Sequence, residues 1–119
     1  MGDYTTQKLK GKFHIERKSL ADLYGTLTKG NGRFKYELFR AAYHHIQIEV
    51  HVEGTHDDFI NKRFPKGDER LTSKETLTKL IKTFQRKYLL VFVWHKSRKN
   101  CVSNVQTRLS DMEKKMKKK

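Results

Sequence analysis

Apolar residues recur every three or four positions between Thr72 and Arg86, where Leu77, Leu80, Ile81 and Phe84 share one face and predict a helix. Thr72 and Glu75 carry the spacing of a capping box at its start. The next segment, Tyr88 to His95, is a continuous β-branched and aromatic run, the pattern of a central strand covered on both faces. Polar Lys96 to Asn100 then reads as a hairpin loop, with Cys101 to Leu109 returning as a strand. Upstream, His45 to Glu53 alternates strictly. Ile46, Ile48, Val50 and Val52 fall on one face, and His45, Gln47, Glu49, His51 and Glu53 on the other.

Closer to the N-terminus, Ser19 suits the cap of a short helix bearing Leu20, Leu23, Tyr24 and Leu27, and Gly30-Asn-Gly32 interrupts the chain after it. Phe34 to Tyr43 fits either period, and Ala41-Ala42 favours helix. Gly11 to Arg17, with Phe13 and Ile15 alternating, adds an edge strand. The predicted order is β-α-α-β-α-β-β, an α+β fold with a mostly antiparallel sheet packed against two or three helices.

Length and charge add to this picture. A chain of 119 residues has room for one core, so residues 1–110 read as a single basic domain and 111–119 as a flexible Lys-rich tail. The formal charge is +14, of which the tail contributes only +3, so the body itself is suited to a polyanion. A lone cysteine, Cys101, cannot form an internal disulfide and points to a reducing cytoplasm, and no apolar run approaches a membrane span. Phosphate-binding glycine loops, a dinucleotide fingerprint and His-Glu-x-x-His are absent, and no cofactor is expected.

Histidines carry the candidate chemistry. His44, His45, His51 and His56 lie within thirteen residues, and His95 ends the apolar strand. His45 and His51, six residues apart, stand about 20 Å from each other along a strand, too far to share a metal ion. Cleavage of RNA by its own 2′-hydroxyl needs a base, an acid and a fixed cation, but no metal. Glu49 and His51 on the polar strand face, His56 at its exit, Arg63 two helical turns later and His95 across the sheet are the candidate catalytic residues. Lys62, Lys96, Arg98, Lys99, Arg33, Lys35 and Arg108 are candidate nucleic-acid contacts. Aromatics beside cations, in Arg33-Phe-Lys-Tyr36 and Phe39-Arg40, could stack on unpaired bases, although aromatics at this spacing more often fill a core.

Val50-His-Val-Glu-Gly-Thr-His56, then Arg63, then Leu71-Thr-Ser-Lys-Glu75 resemble the small ribonucleases of the RelE type, and are most similar to the phage RegB-like endoribonucleases that cut early messenger RNA. The resemblance covers about half the chain, and Ile60 stands where that family tends to place Arg. It implies metal-independent cleavage of RNA through a cyclic phosphate, with one or two histidines and an arginine at work in the host cytoplasm. The expected partner is RNA, as messenger RNA with or without the ribosome, ahead of DNA. The alternatives are a non-catalytic RNA- or DNA-binding protein and an inhibitor that docks on an acidic protein.

Overall fold

The computed structural model describes residues 4–6, 9–61 and 74–117. The elements are β1 (Phe13–Lys18), α1 (Leu20–Leu27), α2 (Asn31–Tyr43), β2 (Gln47–Val52), α3 (His56–Asn61), α4 (Lys74–Lys87), β3 (Leu90–Trp94) and α5 (Arg98–Lys117). Mixed α and β structure is as predicted. The antiparallel sheet is not: the three strands run parallel in the order β1-β2-β3.

Two crossovers that step the same way along a sheet and share one hand must put their helices on one face. Accordingly α1, α2, α3 and α4 cover the face formed by Ile48, Val50 and Val52 of β2 with Leu90, Phe92 and Trp94 of β3. Leu23 and Leu27 of α1, Phe34 and Leu38 of α2, Phe59 of α3 and Leu77, Ile81 and Phe84 of α4 fill that layer. α5 covers the opposite face, where Phe13 and Ile15 of β1 meet Cys101 and Val105. The central strand is therefore β2. The apolar run expected at the centre is the edge strand β3, whose Val91 is 42% exposed beyond the reach of α5.

Cys101 to Leu109, expected as the returning strand, is helical. Cys101, Val105, Leu109 and Met112 form a helical stripe, and the supposed hairpin loop holds the cap: the Asn100 amide donates to Ser97 Oγ at 3.2 Å. Without a hairpin, β3 has no antiparallel partner and the sheet closes by crossovers alone. The Lys-rich segment read as a tail begins inside α5, which runs to Lys117.

Other local readings hold. Ser19 caps α1 by accepting from the Asp22 amide, and Asn31 to Tyr43 is helical. Strand β2 begins two residues later than expected because α2 ends in a Schellman motif. The amides of His45 and Ile46 donate to the Ala42 and Ala41 carbonyls, with His45 left-handed at φ 58°. The capping Thr72 lies outside the described residues. On the outer edge of β1, Tyr4 exchanges both backbone hydrogen bonds with Ile15, an isolated antiparallel bridge.

Val105 is the apolar anchor of α5. Val105→Asp should lower the free energy of urea unfolding at neutral pH by about 3 kcal/mol or more, since it sets a carboxylate against Phe13 and Ile15. A loss below 1 kcal/mol would mean that α5 is not docked on the sheet.

Candidate active site

Two polar constellations lie on opposite faces of the sheet. The first is the polar face of β2, which is not solvated but lies beneath α5. Glu49 and His51 are buried, with His51 only 2% exposed. Arg108 of α5 grips Glu49 from Nε at 3.0 Å and from a terminal nitrogen at 2.7 Å, and its guanidinium lies 5.6 Å from the Phe13 ring centre. His51 Nε2 is 2.9 Å from Glu49 Oε1, His51 Nδ1 is 2.9 Å from His95 Nε2, and Asn104 Nδ2 is 3.2 Å from His95 Nδ1.

One set of protons satisfies this whole chain. With Asn104 donating to His95, His95 can donate to His51 and His51 to Glu49. Burial, with repulsion from His51 second, holds His95 below its ordinary value. Burial pushes the Glu49 carboxyl up, but hydrogen bonds from His51 and Arg108 and the charge of Arg108 outweigh it and bring the carboxyl down to about 2. Cys101 is pushed up to about 11 by burial and then by the charge of Glu53, so its thiol is a small buried hydrophobe.

The remaining predicted residues do not join this group. His56 starts α3 and meets the Trp94 ring edge-on at 5.1 Å, on the sheet face opposite His51. The His-Asp-Asp sequence there serves capping, with Thr55 and Asp58 each accepting from the other's amide. Arg98 reaches Glu53 at 3.5 Å from the exposed start of α5, near exposed Lys96 and Lys99. Arg108 is committed to Glu49. Arg33 and Lys35 lie exposed on α2, while Lys62 and Arg63 fall outside the described residues.

The second constellation was missed in the sequence. Residues of β1 that share the face of Ile48, Val50 and Val52 are His14, Glu16 and Lys18, and the last two line a cleft of about 490 Å³ roofed by α1 and α2. Asp22 of α1 and Arg33 and Glu37 of α2 complete its polar lining. Lys18 Nζ lies 3.2 Å from Glu16 Oε1, and both side chains are largely buried. Glu16 Oε2 is buried and has no hydrogen-bond partner among the described residues. Glu53 Oε2 likewise lacks a hydrogen bond of good geometry, but Arg17 and Arg98 lie within 3.4 and 3.5 Å of it. Among the described residues no second cation lies within ion-pair distance of Glu16 Oε2, so this buried oxygen is unmatched.

A carboxylate beside a lysine in the wall of a cleft is the kind of group that binds a hard cation, which keeps most of its own water. Among the described residues no three His, Cys, Asp or Glu side chains converge to hold a metal by themselves. Magnesium does not need them, because it commonly takes one or two carboxylates and completes its shell with water and substrate phosphates. The signal in the sequence was the Glu16-x-Lys18 pair on a strand. Comparison of the chain with protein-family models, curated proteins and solved structures finds no match to any of them.

Acid should weaken the protein through the first constellation. Glu49 ionises more readily when folded, so its contribution is complete above pH 4.5 and lost as pH falls towards 2. His95 binds its proton less readily when folded, so its contribution is complete above pH 6.5 and declines below it. Unfolding free energy should be flat from pH 8 to 7, fall gently below 6.5 and fall steeply below 4.5. Arg108→Leu, which strands a buried carboxylate, should cost about 3 kcal/mol at pH 7. An Arg108→Leu protein as stable as wild type would show that the pair is not formed.

Proposed function

We propose that the protein is a metal-dependent nuclease whose reacting centre is the cleft of Glu16 and Lys18. The observation that carries the reading is the buried, unmatched oxygen of Glu16 beside Lys18 in the cleft under α1 and α2. A buried carboxylate oxygen without a partner costs stability and calls for a ligand, and a divalent cation is the ligand that suits it. The charge of +14 supports a polyanionic substrate.

In this reading Glu16 would hold a divalent cation such as magnesium, which would supply Lewis-acid activation of a phosphate and of an attacking water, the sugar oxygen leaving as the water's oxygen joins phosphorus. Lys18 lies where its ammonium balances the charge that grows on the phosphate, and Arg33, at the mouth of the cleft, suits a neighbouring phosphate. Water is the nucleophile, so a 2′-hydroxyl is not required and DNA and RNA are both open to attack. Histidine-driven, metal-independent cleavage has less support: His51 and His95 are buried, hydrogen-bonded to each other and covered by α5.

Purified protein should cut labelled DNA or RNA oligonucleotides with magnesium or manganese and stop in EDTA. Its products should carry simple phosphate and hydroxyl ends. Glu16→Gln and Lys18→Met should each lower the rate at least about a hundredfold while the melting temperature moves by only a few degrees. Cleavage of RNA alone, in EDTA and with 2′,3′-cyclic phosphate ends, would overturn the reading and return the chemistry to the histidines.

A further inference from the structure

We infer that the outer face of α2 is a stacking platform for unpaired bases of a single-stranded nucleic acid. Tyr36, Phe39 and Tyr43 are spaced at i, i+3 and i+7, so they stand in one line along the helix, diametrically opposite the buried stripe of Phe34, Leu38 and Ala41. They are 62%, 62% and 73% exposed, and so make up three of the five large apolar side chains open to solvent among the described residues. A helix that already buries one apolar stripe has no structural need for a second, and a row of aromatic rings on the opposite side marks a contact surface.

The surroundings of the row select the occupant. Arg40 extends over the Tyr36 ring at 6.0 Å, and the His44 ring meets Tyr43 edge-on at 5.2 Å. Arg33 and Lys35 are exposed on the same helix, whose one carboxylate, Glu37, is paired with Arg33 at 3.5 Å. Rings that offer flat faces, with cations interleaved, match the alternation of bases and phosphates along a single strand. A second copy of the chain is the poorer fit, because a twofold contact would set these cations against their own copies. A duplex is also a poor fit, since its bases are already stacked. The inference does not depend on catalysis in the cleft and is tested without it.

Binding of fluorescently labelled oligo-dT, oligo-rU and a mixed-sequence duplex of equal length is measured by anisotropy in EDTA, for wild type and for Tyr36→Ala, Phe39→Ala and Tyr43→Ala. Each substitution should weaken binding to both single strands by roughly fivefold or more, and the triple variant more than any single one, with duplex binding unchanged. The dependence of affinity on salt should keep the same slope, because no phosphate contact is lost. The side chains are exposed, so the melting temperature should hold. Equal loss on dT and rU supports a platform that reads base faces, and loss on rU alone would still support it while restricting its ligand to RNA. Unchanged single-strand affinity in the triple variant overturns the inference. So does a wild-type dimer, seen by sedimentation, that the triple variant converts to monomer without change in oligonucleotide affinity.

Discussion

The fold depends on neutralising one buried carboxylate. Glu49 sits on the central strand, with sheet neighbours on both sides and α5 above, where an unpaired charge would cost several kcal/mol. Arg108 supplies the counter-charge from three turns along α5, and the line Asn104, His95, His51 completes the hydrogen bonding. Both ends of that line belong to α5, so the helix cannot move without leaving buried polar groups unmet. The apolar contacts of Phe13, Ile15, Cys101 and Val105 give the helix its affinity for the sheet, and the polar line gives it a register.

With the second face of the sheet closed in this way, the first is free to hold a cleft. β2 and β3 present only apolar side chains to α1–α4, whereas β1 presents Glu16 and Lys18 to the same layer. The two faces thus divide polar and apolar roles between strands in opposite senses. On the α5 side β1 contributes apolar Phe13 and Ile15 and β2 contributes polar Glu49 and His51. There Glu49, His51, His95, Asn104 and Arg108 are joined in one hydrogen-bonded line, whereas beside the cleft Glu16 keeps an oxygen without a hydrogen bond among the described residues.

Much of this was legible in the sequence. Helical periodicity with Ser19 and Ala41-Ala42 located α1 and α2, and strict alternation located β2. Alternation reveals that a strand has two faces but not whether both are covered. The polar face of β2 therefore looked like an accessible site when it is an interior one, and the polar face of β1 looked like the solvated side of an edge strand when it lines the cleft. Strand direction was illegible because it turned on one ambiguous segment. Cys101 to Leu109 satisfies period two and period four alike, and only the Ser97 cap distinguishes the helix. Aromatics on α2 divided in the same manner, Phe34 into the core and Tyr36, Phe39 and Tyr43 outward, because a two-residue offset from Phe34 to Tyr36 turns a helix by about 200°.

The central claim is that the chemistry belongs to the cleft of β1 and not to the histidines of β2. Anomalous diffraction from crystals of the full chain soaked in manganese tests it most directly. The account predicts a peak about 2.1 Å from the Glu16 carboxylate, on the side of the sheet covered by α1 and α2. A peak at His51 or His95, or none within reach of Glu16 at saturating manganese, would contradict it.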